Sequence, residues 1–152
     1  MPTRSLICIS ALVIAVTCAV ASISTSPADA RVKVINPPDA PASLSHVTIQ
    51  NDDGRQISFV HYDLQNKGQN TLKGVFLKLV FFDQLGRPTG GEIFLEHVDL
   101  KSHHRAQFHS ALSHYADTDI GTVGITISAA NTDRDHWKDQ TPTQQIVKQM
   151  KD

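Results

Sequence analysis

The chain has 152 residues, with 14 Lys and Arg against 15 Asp and Glu, so its formal net charge at pH 7 is −1. This length favours a single domain. The balanced charge gives no electrostatic reason to expect nucleic acid or an anionic membrane surface as a partner. Both cysteines, Cys8 and Cys18, lie near the N-terminus, so residues 31–152 can form neither a disulfide nor a cysteine metal site.

Residues 1–30 have the pattern of a secretory signal peptide. Arg4 supplies a positive charge, residues 6–21 are mostly apolar, and Ala28-Asp29-Ala30 matches an A-x-A cleavage site. We therefore predict cleavage after Ala30 and a periplasmic or secreted location. The alternative is an uncleaved membrane anchor, because residues 6–24 approach the ~17–25 residues that span a bilayer.

Prolines mark the next segment. Residues 36–41 read Asn-Pro-Pro-Asp-Ala-Pro, and proline fixes φ and supplies no backbone donor for a β-ladder. This composition predicts an extended, proline-rich linker over residues 31–44.

From Ser45 onward, apolar and polar residues alternate in short runs that turn-forming residues separate. This period of two is typical of half-buried strands. We predict an all-β domain over residues 45–139, an antiparallel immunoglobulin-like β-sandwich. The predicted strands are 45–50, 56–65, 71–82, 88–100, 104–110 and 122–129. In the second of these, Val60, Tyr62 and Leu64 share one face.

The run 71–82 has two apolar faces, which follow from the parity of its residues. Asp83 to Gly86 then predicts a type I turn, and Gly90-Gly91 predicts a bulge or bend. The set predicted for the core is Val75, Leu77, Leu79 and Phe81. The set predicted for the opposite face is Phe76, Lys78, Val80 and Phe82.

Residues 140–152 predict a helical tail. Thr141 suits an N-cap, Pro142 the first helical position, and Gln144 the third position of a capping box. A helix of about ten residues is marginal in isolation. Its narrow apolar stripe could dock on the outward phenylalanines; the stripe consists of Ile146, Val147 and Met150.

The stretch from Ser58 to Phe108 resembles the FxLYD-type domains of exported bacterial proteins. An apolar strand, 60–64, leads to Asn66, and Leu79-Val80-Phe81-Phe82-Asp83 stands at the naming motif, followed by Gly86. Leu79 replaces the Phe of that motif, Phe81 its Leu and Phe82 its Tyr. The resemblance implies an immunoglobulin-like or fibronectin-like sandwich and implies no activity.

Histidine is the compositional oddity, since five of the eight fall between residues 97 and 114. Imidazoles are good ligands for zinc and copper, so the alternative function is a His-rich metal-binding exported protein. The spacing argues against a preformed site, because His103 and His109 on an extended strand lie about 20 Å apart. The candidate metal ligands are His97, His103, His109 and His114.

Residue types used in catalysis are present without the corresponding pattern. Glu92 and Glu96 would lie about 13 Å apart on one strand, too far for a retaining glycosidase pair, and we expect a solvated strand face there. The chain has no nucleophile-elbow Gly-x-Ser-x-Gly. We predict no enzyme activity and no cofactor. The triad-type residues are Ser110, Ser113, His114 and Asp117.

Outward aromatic residues give the best indication of binding. Phe59, Phe76 and Phe82 are predicted on faces opposite the core, where contiguous apolar surface usually marks a partner site. The alternative is that an extra sheet or the tail helix covers them. We expect Trp137 to close one end of the core. The sequence therefore favours an exported, non-catalytic interaction or structural module whose partner is another exported protein.

Overall fold

The computed structural model of the protein describes residues 30–52, 57–112 and 120–152. The predicted signal segment, except Ala30, lies outside the described residues. No helix in the described ranges is long and apolar enough to cross a membrane. The elements are β1 (Arg31–Ile35), β2 (Ala42–Asp52), β3 (Ile57–Asn66), β4 (Leu72–Asp83), β5 (Pro88–Leu100), β6 (Arg105–Leu112), β7 (Ile120–Thr132), β8 (His136–Lys138) and α1 (Thr143–Lys151).

The strands form two sheets that enclose one core. The first sheet, sheet A, has the order β1-β7-β4-β5, and β8 also pairs with β7. The second, sheet B, has the order β2-β3-β6. The β1–β7 pair is parallel and every other pair is antiparallel. This arrangement confirms the predicted antiparallel β-sandwich with a short C-terminal helix.

The predicted linker over residues 31–44 is wrong. Residues 31–35 pair with β7 from Arg31 opposite Thr122 to Ile35 opposite Thr126, and β2 begins at Ala42. The Asn36 side chain donates to Leu44 O at 3.0 Å and accepts from Leu44 N at 2.7 Å, as a paired strand residue would. The prolines therefore interrupt the ladder only over residues 37–41, and the sandwich begins at Arg31 rather than at 45.

Side chains of the two central strands, β3 and β4, alternate between the core and the outer face as predicted. The core residues of β3 and β4 are at most 2% exposed, and Trp137 packs against the same cluster, as expected. Side chains of alternate residues point to one face, so parity alone identified this set. It consists of Val60, Tyr62, Leu64, Val75, Leu77, Leu79 and Phe81.

The β4–β5 turn is held by its first residue, as predicted. Gly86, at φ +72°, donates to Asp83 O at 2.9 Å. The Asp83 carboxylate accepts from Leu85 N, Arg87 N and Arg87 Nε. These hydrogen bonds, led by the backbone bond from Arg87, lower the pKa of Asp83. The bulge lies next to the predicted Gly90-Gly91 position, because Phe81 pairs with Gly90 and Phe82 with Pro88, leaving Thr89 without an opposite residue.

One carboxylate holds β5 against sheet B. Glu96 Oε2 accepts from Tyr62 OH at 2.8 Å and from Ser110 Oγ at 2.7 Å, so β5, β3 and β6 meet at this atom. Burial, followed by the hydrogen bond to Glu96, raises the pKa of Tyr62 well above its usual value. These bonds fix the inner side of β5 and leave its other side facing outward.

Helix α1 covers part of the outer face of sheet A. Its buried Ile146 and Met150 pack on Val80 and Phe82 of β4 in a second apolar cluster. The predicted tail helix is confirmed, and it docks on one of the three outward phenylalanines. The predicted cap is wrong: Pro142, at φ −55° and ψ 135°, is the N-cap, and no side chain caps the helix. Thr141 lies outside the helix, where its N–H donates to Asp139 Oδ1 at 2.9 Å.

Met150 occupies space that a missing side chain leaves in β7. A Cβ built on Gly124 would lie 2.5 Å from both Cγ and Sδ of Met150. Real Cβ atoms essentially never approach that closely. The helix can therefore dock here only because residue 124 is glycine.

Gly124→Ala should displace α1 and cost about 1–3 kcal/mol of stability, the usual range for overpacking. Thermal melting and apolar dye binding measure the loss, since undocking exposes Val80 and Phe82. Gly90→Ala is the matched control, because its Cβ would meet only Phe81 Cδ2, at 3.8 Å. If Gly124→Ala melts like the control, or if adding Met150→Ala does not reduce its effect, the packing account is wrong.

Tyr62→Phe should cost about 1–3 kcal/mol, the range for removing one partner of a buried hydrogen bond. It should also change the pH dependence of stability. Folding raises the pKa of Tyr62. The stability that comes from this shift is therefore fully present below about pH 10, the pKa of tyrosine in the unfolded chain, and is lost as the pH rises further. The variant should lack that alkaline loss, and Ser110→Ala should keep it. Parallel curves for Tyr62→Phe and wild type above pH 10 would refute the assignment.

Candidate functional site

Three apolar side chains lie together on the outer face of sheet A. Strand β5 pairs with β4 and, among the described residues, with no other strand. Ile93 and Leu95 of β5 are 61% and 38% exposed. Phe76 of β4 lies opposite Leu95 and is half-buried. We call Phe76, Ile93 and Leu95 the open β5 surface; it joins apolar side chains to the free edge of a strand.

The same face continues beneath α1. Phe82 is only 1% exposed because Ile146 and Met150 cover it. Its predicted role in an interaction is therefore wrong. Phe59 lies on the outer face of sheet B, edge-on to His109 at a ring-centroid distance of 6.4 Å. Of the three predicted phenylalanines, Phe76 alone belongs to the open β5 surface.

Sequence reasoning missed the two most exposed members of this surface. Ile93 and Leu95 share one parity, whereas Phe94, Val98 and the two glutamates share the other. The second set faces the core, since Glu96 bonds to Tyr62. That parity difference was visible in the sequence. What was not visible is that β5 lies at a sheet edge, because strand order depends on pairing between distant segments.

The expectation of a solvated face at Glu92 and Glu96 is also wrong. Both residues are half-buried on the inner side of β5. The Glu96 carboxylate accepts hydrogen bonds from two hydroxyls and holds strands together. The Ser110 hydroxyl donates a hydrogen bond to that same carboxylate. The other triad-type residues, at 113, 114 and 117, lie outside the described residues.

The three candidate metal ligands that the structure describes are not brought together. His97 lies on β5 opposite Gly74, on sheet A. His103 lies in the β5–β6 turn at φ +60°, with Nε2 3.3 Å from Gln69 Nε2. His109 lies on β6 in sheet B, and His114 is outside the described residues. In the described part of the chain, no group of three His, Cys, Asp or Glu residues is arranged to hold a metal ion.

A different set of histidines lines a shallow groove of about 310 Å³ on the outer face of sheet B. The His61 and His109 rings stack with centroids 5.7 Å apart. His46, at a bulge in β2 with φ +49°, places Nδ1 2.9 Å from Asp63 Oδ2. His46 and His61 fall outside the histidine-rich run, so only strand pairing reveals this cluster. Its groups bond and stack largely with one another.

No family model matches the chain, and no curated protein matches it. Among solved structures, it is similar to a DUF1425 family member from Shewanella sp. pv-4, with a TM-score of 0.41 and 16% identity over 60% of this chain and 81% of that one. It is also similar to cj0090 of Campylobacter jejuni, with a TM-score of 0.35 and 12% identity over 62% of this chain and 97% of that one. Similarity at this level carries no argument about function, and the resemblance to FxLYD-type domains stays a prediction.

Proposed function

We propose that this protein is an exported, non-catalytic interaction module that binds another exported protein chain through the open β5 surface. The observation that carries the proposal is the exposure of Ile93 and Leu95, 61% and 38%, side by side on an edge strand. A clustered exposure of this kind is more informative than isolated apolar residues. An unpaired edge also offers backbone donors and acceptors to a partner strand.

Export is the part of the proposal that rests on sequence. Arg4, the apolar run 6–21 and the A-x-A site support it. An exported partner follows, because an exported surface meets other exported proteins.

The polar clusters support a binding module over an enzyme. Glu96 accepts two hydrogen bonds from core hydroxyls, and Asp63 is bonded to His46. These carboxylates serve contacts within the protein. The open β5 surface, in contrast, presents side chains that gain free energy when a partner removes them from water.

A photo-reactive amino acid at position 93 should crosslink the exported protein to a discrete partner chain in its native host. The same group at position 85 is the control, since Leu85 is 74% exposed but lies in the β4–β5 turn, off the strand. The product from position 93 should have one defined mass on a denaturing gel. No product, or equal products from both positions, would refute the proposed binding surface.

A further inference from the structure

We propose that the partner at the open β5 surface is a second copy of this chain, joined by antiparallel β5–β5 pairing centred on Leu95. This inference rests on the proposed function and names its partner. Such pairing would extend sheet A across two copies related by a twofold axis.

The first argument is that the middle of β5 has neither a bulge nor a basic residue, two of the usual protections of an edge strand. Natural edges are short, bulged or charged, with lysine especially common. Strand β5 has 13 residues and no Lys or Arg; its proline and its bulges lie near its ends, and residues 90–97 pair with β4 in unbroken register. In contrast, β1 has five residues including Arg31 and Lys33, β2 is bulged near His46, and β6 has eight residues beginning with Arg105.

The second argument is the apolar row that this pairing creates. Residues directly opposite in an antiparallel pair point to the same face. Phe76 already lies opposite Leu95, so pairing Leu95 with Leu95 of the second copy aligns Phe76, Leu95, Leu95 and Phe76 on one face. Four adjacent strands span about 14 Å, and Leu95 of each copy would contact Leu95 of the other.

The third argument is charge, which excludes the neighbouring register centred at Phe94. With Leu95 at the centre, Glu92 faces Val98, Glu96 faces Phe94, and Ile93 faces His97 of the second copy. A centre at Phe94 would instead place Glu92 opposite Glu96 twice, and like charges directly opposite are destabilising. The net charge of −1 adds little repulsion between copies.

Sedimentation of the exported protein over a wide concentration range tests this inference. The wild type should show a reversible monomer–dimer equilibrium. Leu95→Arg should weaken dimerisation at least about tenfold, because it places two positive charges directly opposite each other at the twofold axis. Leu85→Arg is the matched control and should leave the dimer unchanged. Circular dichroism confirms that each variant is folded.

Two outcomes overturn the inference. A wild type that stays monomeric at every concentration excludes the second copy; the proposed function then survives only if position 93 still crosslinks to a different chain. A dimer that Leu95→Arg does not weaken, while Leu95→Arg remains folded, excludes pairing through β5.

Discussion

The structure depends on burying both faces of β4. Its inner face packs in the sandwich core, and its outer face carries Val80 and Phe82, which sheet B cannot reach. A sheet with two apolar faces needs a third layer, and α1 supplies it. The docking of Met150 over Gly124 fixes where that layer lies, since glycine at this position leaves the space that the methionine fills.

The helix is too short to cover the whole face. Nine residues give a helix about 13 Å long, and its buried side chains, Ile146 and Met150, reach only one part of β4. Phe76, Ile93 and Leu95 lie outside the cluster that α1 covers. The open β5 surface is therefore the remainder of the face that α1 begins to cover. The hydrogen bonds that Glu96 accepts hold the other side of β5 against sheet B. The strand is therefore firmly placed, while its outer edge pairs with no other strand in the described ranges.

The sequence predicted what depends on local pattern. Alternation gave the core face of β3 and β4, Asp83 and Gly86 gave the turn, and the stripe of Ile146 and Met150 gave a docking helix. Local signals failed where two of them competed. Val32 and Val34 alternate as a strand should, but the neighbouring prolines indicated a linker instead. Thr141 matched a cap, yet the N-cap is Pro142 and no side chain caps the helix.

Features built from distant segments could not be predicted in this way. His46, His61 and His109 meet only because β2, β3 and β6 are neighbours in sheet B, whereas the histidines that are close in sequence fall on separate surfaces. The position of β5 at an edge likewise follows from the order of pairing. The residues that carry the proposed function were therefore visible as a pattern, but their exposure was not.

The central claim is that the free edge of β5 pairs with another chain, and hydrogen exchange of the exported protein tests it most directly. Alternate amides of β5 that are not bonded to β4 should exchange fast in dilute solution and more slowly as concentration rises. The free amides of the charged β1 edge should keep their rate. Equal exchange of the β5 amides at every concentration, and with or without a crosslinking partner present, would contradict the account.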